Sequence, residues 1–284
     1  MLDFLQARFN LTATGEPKLL SGGIWNQVYR IPAGERSYVL RLAHPTATEK
    51  AMAFTHRVMW DVSLPEVSPP IPDVDGNTVV SVDGRLAALF PFVEGERLKR
   101  AKVEARQAGA LLGRLHQATL SLDLPTGETW ADLDWEANSM WIWEDVERAL
   151  TDRDHEKKHG LEQSSAFLRE RLRECRDWVE GQSGNGHLRA CTHGDYYPGN
   201  LIGRDRRIVA AIDWDEARVD WLFWEVGRAL GEWDGAPEFL EGYWESGAPS
   251  FDPGLLGPVM AFAKLVDVLW DLSEEGRILK SGGG

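Results

Sequence analysis

The most informative part of the chain is CTHGDYYPGNLIG, residues 191–203. It places a histidine, a carboxylate and an amide, His193, Asp195 and Asn200, around a Pro-Gly step. After Asn200 come LIG, the polar segment RDRR and the apolar run IVAAID, a pattern that predicts a β-hairpin. Because a hairpin brings its two open ends together, Asn200 and Asp213, thirteen positions apart, are expected to lie side by side.

The two residues at the open end of this hairpin have the chemistry of a magnesium site. One carboxylate and one amide oxygen suit Mg²⁺, which keeps several waters and completes its shell with substrate phosphates. Asn200 and Asp213 are therefore predicted metal ligands, and Asp195, five positions before Asn200, is expected at the edge of the same metal-phosphate site. The alternative is that Asp195 and Asn200 are ordinary turn residues, a role that both residue types often take.

These residues resemble a known superfamily. Residues 193–200, HGDYYPGN, fit the pattern H-G-D-x-x-x-x-N, and residues 212–218, IDWDEAR, fit the segment that follows it in the aminoglycoside phosphotransferase and choline kinase superfamily. The resemblance implies an α+β, bilobal, protein-kinase-like fold. It also implies that Asp195 orients the acceptor hydroxyl and accepts its proton, and that Asn200 and Asp213 bind Mg²⁺. Such a reaction mainly needs positioning and charge neutralisation, so no activated nucleophile is expected.

The surroundings of this motif indicate a small acceptor. Only six residues separate Asp213 from Asp220, and the segment DWLFWEVGRAL resembles the next helix, which leaves no room for the peptide-docking activation segment of protein kinases. By resemblance, Asp220 braces the catalytic loop. His193 is expected to pack and hydrogen-bond so as to hold that loop, in preference to acting as a general base.

The first third of the chain predicts a β-rich region with one helix. Two hairpins are expected, one with the turn PAGE between SGGIWNQVYRI and RSYVLRLA, and one with Asp-Gly at 83–84 between NTVVSV and RLAALFPFV. Between them, PTATEKAMAFTHRVMW has the apolar spacing of a helix. The predicted buried face of that helix consists of Ala47, Ala51, Phe54 and Val58.

The chain changes character after EGER, where a mostly helical region begins. We therefore expect a boundary near Phe92. Residues 1–91 would form a lobe that covers the nucleotide, and residues 92–284 would form a lobe that carries catalysis and binds the acceptor.

The nucleotide side is predicted from strand alternation and from the resemblance. In SYVLRLA, Val39 and Arg41 share one face of the strand. In the resembling fold this face covers the nucleotide, so Val39 is expected against adenine and Arg41 at the α and β phosphates, where kinases usually have lysine. Pro91, Phe92 and Val93 resemble the hinge that offers backbone groups to adenine. An exposed strand arginine is the alternative for Arg41, and SGGIWN resembles a phosphate-covering loop without a full glycine-rich signature.

Glu49 has two competing predicted roles. It is the only carboxylate between Pro45 and Trp60, and it would fix Arg41 as the helix glutamate fixes the lysine in the resembling family. However, Thr46 and Glu49 also form T-x-x-E, a capping box in which the glutamate turns back to the backbone N–H of Thr46. The sequence does not decide between these roles.

The composition excludes several classes of partner. The 284 residues include 31 basic and 45 acidic side chains, and the formal net charge of −14 repels a nucleic-acid backbone. No apolar stretch approaches the ~20 residues of a membrane helix, and the first residues do not resemble a signal peptide, so we expect a cytoplasmic protein with no membrane partner. Two cysteines cannot form a disulfide framework. A monomer and a homodimer are equally compatible with these data.

Acidic residues are concentrated in two stretches without Lys or Arg. Residues 117–147 contain eight acids and residues 229–263 contain six. Four tryptophans fall in the first stretch: Trp130, Trp135, Trp141 and Trp143. Carboxylates and aromatic faces both attract ammonium groups, which favours an aminoglycoside or another amine-bearing acceptor. Solvated helix faces and core tryptophans explain the same pattern equally well.

The expected function is therefore transfer of the γ-phosphate of ATP or GTP, with Mg²⁺, to a hydroxyl of a small molecule. Choline, ethanolamine, homoserine and sugars are alternative acceptors within the same superfamily. A catalytically silent nucleotide-binding module is the alternative of a different class, and the arginine at position 41 is its main support.

Overall fold

The structure is a computed structural model that describes residues 1–22, 26–99, 102–124, 165–182 and 184–272. It has an α+β architecture, with a five-stranded antiparallel sheet from the first part of the chain and a mostly helical second part. The predicted fold class is thereby confirmed. The last strand of the five-stranded sheet ends at Pro91, and the division into two domains near Phe92 stays a prediction.

The five-stranded sheet contains both predicted hairpins. Its strands, in the order β1-β2-β3-β5-β4, are β1 (Lys18–Gly22), β2 (Gln27–Ala33), β3 (Arg36–Leu42), β4 (Val80–Val82) and β5 (Arg85–Pro91). β2 pairs antiparallel with β3, and β4 pairs antiparallel with β5. Asp83 and Gly84, between β4 and β5, both have positive φ, the conformation that a tight two-residue turn requires.

The two faces of this sheet have different neighbours. Leu40 and Leu42 of β3 are buried on one face in a cluster with Leu5 of α1 (Leu2–Phe9). Since side chains alternate along a strand, Val39 and Arg41 lie on the opposite face. That face packs against α2 (Glu49–Val62).

The start of α2 differs from the predicted capping box. Thr48 is the N-cap residue, and its hydroxyl accepts a hydrogen bond from the backbone N–H of Ala51 at 3.2 Å. The backbone N–H of Thr46 instead donates to Nδ1 of His44 at 3.3 Å. The capping role predicted for Glu49 is therefore wrong. A capping box would make Thr46 the N-cap, but the N-cap is Thr48 and the helix begins at Glu49.

The buried face of α2 is also wider than predicted. Val58 is fully buried, but Ala47, Ala51 and Phe54 are only partly buried. The buried residues of the helix are Met52, Thr55, His56, Val58, Met59 and Val62, of which Thr55 and His56 are polar. Thr55 donates to a carbonyl within the helix and the ring of His56 bonds Thr78 at 2.9 Å, so both can be buried. Apolar spacing alone cannot predict such satisfied polar groups.

The second part of the chain combines five helices with short strands among the described residues. The helices are α3 (Lys102–Leu120), α4 (Ser165–Gln182), α5 (Leu222–Glu232), α6 (Pro237–Glu245) and α7 (Leu256–Leu272). The strands are β6 (Glu96–Arg97), β7 (Arg189–Thr192), β8 (Leu201–Arg204), β9 (Arg207–Ala211) and β10 (Arg218–Trp221). β8 and β9 form the predicted hairpin, and β10 pairs with β7.

Some predictions fall outside the described residues. The tryptophan-rich part of the first acidic stretch lies within 125–164, and residues 23–25 of SGGIWN are likewise outside. Within the part of the chain that the structure describes, each helix is too short or too polar to cross a membrane.

Helices α3 and α6 cross with their backbones in direct contact. A Cβ atom added to Gly109 of α3 would lie 1.8 Å from the carbonyl oxygen of Phe239 in α6. One added to Gly242 of α6 would lie 2.0 Å from the carbonyl oxygen of Arg106 in α3. Two glycines therefore allow the close approach that brings the side chains of α3 and α6 together beneath the predicted site.

Replacing Gly242 by alanine should destabilise the fold, because the new Cβ would press on backbone atoms that cannot move without separating the helices. We expect a loss of about 1–3 kcal/mol in the free energy of unfolding, measured by urea denaturation. The matched control is Gly231→Ala in α5, where a Cβ atom meets no described atom within 4 Å and alanine is the better helix former. Equal losses in the two variants would contradict the close-contact interpretation.

Candidate active site

The catalytic loop predicted from the H-G-D motif follows β7 and ends in a single 3₁₀ turn, Pro198–Asn200. His193 is buried at its start, and Nε2 of its ring bonds the carbonyl oxygen of Ile212 at 3.0 Å. The ring also packs against Trp214, with 4.6 Å between ring centroids. His193 thus holds the loop against the end of the β8–β9 hairpin, in the position expected of a structural residue.

The predicted metal ligands meet at the open end of that hairpin. The carbonyl oxygen of Asn200 accepts a hydrogen bond from the backbone N–H of Ile212 at 2.9 Å, so Asn200 lies beside the residue that precedes Asp213. The side-chain Nδ2 of Asn200 donates to Oδ2 of Asp195 at 2.8 Å and to its carbonyl oxygen at 3.0 Å. Asp195, Asn200 and Asp213, taken from the sequence pattern, therefore lie together.

The donor set fits a magnesium ion. Since Nδ2 of Asn200 is used by Asp195, its amide oxygen is the atom left for a metal. Asp213 exposes 43% of its side chain and adopts φ 64°, a left-handed conformation that aspartate tolerates better than most residues. One amide oxygen and one accessible carboxylate suit Mg²⁺, whose remaining positions are filled by water and phosphate.

Asp195 lies in an environment that disfavours its charged form. Burial raises the pKa of this carboxyl above its ordinary value, and the nearby charge of Asp213 raises it further. Arg228, His193 and the hydrogen bond from Asn200 act in the opposite direction without cancelling the rise. A carboxylate with a raised pKa is a better proton acceptor than an ordinary aspartate.

The glycine of the H-G-D motif is required by a close backbone contact. Gly194 has φ 82°, and a Cβ atom there would lie 2.0 Å from the carbonyl oxygen of Glu216. Its N–H donates to Oε1 of Glu225 at 2.6 Å, and its carbonyl oxygen accepts from Arg228 at 3.2 Å. Two side chains of α5 therefore fix the peptide groups that precede Asp195.

Glu225 is the centre of a buried polar network. Its second oxygen, Oε2, lies 2.7 Å from Nε2 of His116, and Nδ1 of His116 lies 2.8 Å from the hydroxyl of Tyr243. Burial by itself raises the pKa of Glu225, but His116, His193 and the N–H of Gly194 together lower it below its ordinary value. Glu225 is thus held as a buried carboxylate that connects α3 and α6 to the catalytic loop.

The network was not predicted from the sequence. Glu225 and Arg228 stand three positions apart in LFWEVGRAL, whose other residues are apolar or glycine, and His116 lies in the more polar α3. Buried charged residues need partners, so an ionisable pair on an apolar helix is a signal that sequence reasoning could have used.

The bracing role predicted for Asp220 is not supported by its contacts. Asp220 accepts from the backbone N–H of Trp221 at 2.7 Å and from Nε of Arg218 at 3.0 Å, so these bonds stay within β10. The prediction placed the start of the helix too early: β10 occupies that segment, and α5 begins only at Leu222. Glu225, inside α5, is the carboxylate that braces the loop.

Arg41 extends from the sheet to the hairpin end. Its side chain is 14% exposed, its Nη2 donates to Oδ1 of Asp213 at 3.1 Å, and both Nη atoms contact Asp215. Burial lowers the pKa of Arg41 below its ordinary value and Asp213 opposes this shift without cancelling it, although a guanidinium stays charged in either case. Burial and the charge of Arg41 lower the pKa of His56 to about 4, so this neighbouring ring is neutral at pH 7.

The pairing of Glu49 with Arg41 is therefore wrong for the described structure. Glu49 is exposed in the first turn of α2, whereas the carboxylates on Arg41 come from the loop after β9. Glu49 is the carboxylate of α2 that is close to Arg41 in sequence, but the actual partners lie more than 170 positions away along the chain.

The other predicted nucleotide residues lie around the same face. Val39 pairs with Phe90 across β3 and β5, and Pro91 ends β5 opposite Tyr38. The N–H of Phe92 donates to the carbonyl oxygen of Ser37 at 3.1 Å. A hinge bond to adenine would therefore use other backbone groups of Pro91, Phe92 and Val93.

Part of the second acidic stretch is used in structural contacts. Glu241 and Glu245 of α6 both pair with Arg106 of α3, and Asp252 accepts from the backbone N–H of Gly254 at 2.8 Å. Glu241 and Glu245 follow the alternative interpretation of the stretch, in which acids lie on solvated helix faces, and Asp252 caps a single 3₁₀ turn.

Replacing Glu225 by glutamine should cost about 3 kcal/mol or more in the free energy of unfolding, because it removes one member of a buried, hydrogen-bonded pair. Since the pKa of Glu225 is lowered in the folded state, its contribution is fully present above its ordinary value of 4.5 and is lost as the pH falls through the folded value. The difference between wild type and variant should therefore shrink in acid, measured by urea denaturation at several pH values.

The control for this prediction is Glu241→Gln, which removes an exposed ion pair on α6 and should cost far less. A loss from Glu225→Gln no larger than that of the control, or one independent of pH, would contradict the role of the buried network.

The chain is similar to known phosphotransferases. A family model described as the phosphotransferase enzyme family matches residues 16–258. A homoserine kinase from Rhizobium meliloti (strain 1021) is 23% identical over 219 residues, which cover 76% of this chain and 63% of the relative. The chain thus spans less than two thirds of the length of that relative.

Two solved structures share the fold. An amicoumacin kinase, in complex with AMP-PNP, Ca²⁺ and its ligand Ami, has a TM-score of 0.75 and 15% identity, over 95% of this chain and 84% of that chain. A microcompartment-associated aminopropanol kinase has a TM-score of 0.72 and 20% identity, over 96% and 88% of the two chains. This likeness confirms the predicted protein-kinase-like bilobal fold. Because the family model runs from before β1 to the start of α7 and includes the whole H-G-D site, the chain belongs to the phosphotransferase enzyme family.

Proposed function

We propose that this protein is a small-molecule kinase that transfers the γ-phosphate of ATP to a hydroxyl group. The observation that carries the proposal is the convergence of Asp195, Asn200 and Asp213 at the end of the β8–β9 hairpin. Family membership supports it, as does the amicoumacin kinase that was solved with AMP-PNP and Ca²⁺. GTP is the alternative nucleotide.

In this mechanism, Asp195 acts on the acceptor. Its carboxylate orients the hydroxyl and takes its proton as the hydroxyl oxygen bonds to the γ-phosphorus and the bond to the β–γ bridging oxygen breaks. The raised pKa of Asp195 favours that proton transfer, and Glu225 and Arg228 fix the backbone before it. No covalent enzyme intermediate is required.

Asn200 and Asp213 would hold the magnesium ion. The ion supplies positive charge against the phosphate oxygens. Arg41 would add a second cation on the sheet side, where its planar guanidinium can bind two phosphate oxygens at once. Val39 would cover adenine, and the backbone of Pro91, Phe92 and Val93 would meet its edge.

The proposed acceptor is an alcohol that carries an amine. Two of the kinases compared above act on aminopropanol and homoserine, compounds that each combine an amino group with a hydroxyl. The net charge of −14 attracts cations in general. A neutral sugar is the alternative.

The proposal is tested by an acceptor screen with purified protein, Mg²⁺ and ATP or GTP. Aminoglycosides, choline, ethanolamine, aminopropanol, homoserine and simple sugars are compared by nucleotide consumption, and products are identified by mass spectrometry. We expect Mg²⁺-dependent phosphorylation of at least one amine-bearing alcohol. Folded protein that binds Mg²⁺-nucleotide but phosphorylates nothing in the panel would favour a silent nucleotide-binding module.

Replacing Asp195 by asparagine should lower turnover by roughly 10²–10⁴-fold or more, because it removes the proton acceptor. Nucleotide binding, measured by calorimetry with Mg²⁺ and AMP-PNP, should survive. The control is Asp61→Asn, which removes an exposed carboxylate of α2 that pairs with Arg57. Turnover near the wild-type value in Asp195→Asn would exclude this residue as the base.

The same variant should be at least as stable as the wild type at pH 7. The folded pKa of Asp195 is raised, so its ionised form costs stability once the pH exceeds its ordinary value of 3.8. Asparagine removes that cost. The gain should disappear as the pH falls below 3.8, and thermal unfolding at both pH values measures it. A clear loss of stability at pH 7 would contradict this.

A further inference from the structure

Asp215 connects the loop after β9 to the sheet. Its carboxylate contacts both Nη atoms of Arg41, and its Oδ2 also accepts from Nδ2 of Asn26 at 3.0 Å. The amide oxygen of Asn26 accepts in turn from the backbone N–H of His44 at 3.0 Å. The orientation of Asp215 is thus set by Arg41, within β3, and by Asn26, just before β2, although Asp215 is two residues from Asp213 in sequence.

Arg41 consequently has two acidic partners, and only one of them, Asp213, is also a proposed metal ligand. Asp213 is a proposed metal ligand, and a divalent cation bound there competes with the guanidinium for the same carboxylate. Asp215 has no such second duty in the proposed mechanism, so its bonds to Arg41 can persist when the metal and the nucleotide are bound. Arginine has five N–H donors, which leaves donors free for phosphate while Asp215 is engaged.

We propose that Asp215 is the positioning residue that holds Arg41 for the nucleotide phosphates. It would do in this chain what a helix glutamate does for the phosphate-binding lysine in the resembling kinases, a role for which Glu49 is wrongly placed here. The inference rests on the proposed function, since it takes Arg41 as a phosphate ligand and Asp213 as a metal ligand.

The contact between Arg41 and Asp215 joins two distant parts of the chain. Arg41 belongs to the sheet and Asp215 to the hairpin end, 174 positions later. The cation is therefore correctly placed only when these two parts of the chain are in contact. Loss of Asp215 should weaken nucleotide binding without removing any group that touches the acceptor.

The test is a double-mutant cycle with Arg41→Gln, Asp215→Asn and the double variant. The dissociation constant of Mg²⁺-AMP-PNP is measured by calorimetry. We expect each single change to weaken binding about tenfold, and the double variant to be little weaker than either, because both changes break one interaction. In turnover assays with an acceptor from the screen, Asp215→Asn should raise KM for nucleotide and leave kcat nearly unchanged, and Asp215→Glu should restore part of the affinity.

Two further variants test whether Asp215 positions Arg41. One changes Asn26, which bonds Asp215, and the other changes Glu49, the competing candidate partner of Arg41. Asn26→Ala keeps every charge and should weaken nucleotide binding in the same direction, but less. Glu49→Gln tests the helix glutamate, and a loss of affinity larger than that of Asp215→Asn would overturn the proposal. Asp61→Asn serves as the surface control, and thermal unfolding verifies that each variant is folded.

Failure of the role proposed for Asp215 can be told apart from failure of the proposed function. If the wild-type protein binds nucleotide but the effects of Arg41→Gln and Asp215→Asn on the dissociation constant are additive, the positioning role of Asp215 is overturned. The proposed function is then unaffected. A raised Mg²⁺ requirement in Asp215→Asn, without coupling to Arg41, would overturn it in favour of a metal ligand. Wild-type protein that binds no nucleotide and transfers no phosphate would overturn the proposed function, and this inference with it.

Discussion

The backbone of Ile212 is the point on which the site depends. Its N–H bonds the carbonyl oxygen of Asn200, and its carbonyl oxygen bonds the ring of His193. These two bonds hold the catalytic loop against the end of the β8–β9 hairpin. Without them, Asp213 would not be fixed beside Asn200 and Asp195. The histidine of the H-G-D motif is thus explained as a structural residue.

The buried carboxylate of Glu225 stabilises this arrangement. Glu225 accepts a hydrogen bond from the N–H of Gly194, the ring of His116 bonds Glu225, and the hydroxyl of Tyr243 bonds the other nitrogen of His116. A buried carboxylate is costly unless its oxygens are satisfied, so the network requires α3 and α6 to approach closely. The glycines at the crossing of these helices permit that approach. Helix packing far from Asp195 in sequence therefore controls the loop that carries it.

The sequence predicted what is local. Asp195, Asn200 and Asp213 lie on one loop and one hairpin, so turn chemistry and spacing were sufficient to bring them together. Glu225 and His116 were missed because their meeting depends on the crossing of three helices. The partner of Arg41 was predicted wrongly for the same reason. Glu49 is close to Arg41 in sequence, whereas Asp215 lies 174 positions later along the chain. The burial of His56 depended on a hydrogen bond that apolar spacing does not reveal.

A crystal structure of the protein with Mg²⁺ and AMP-PNP would examine the site as a whole. We expect a metal ion on the amide oxygen of Asn200 and a carboxylate oxygen of Asp213, with Arg41 bonded to a phosphate and still to Asp215. A nucleotide bound elsewhere, or an Arg41–Asp213 pair that persists while the metal is held by other residues, would contradict it.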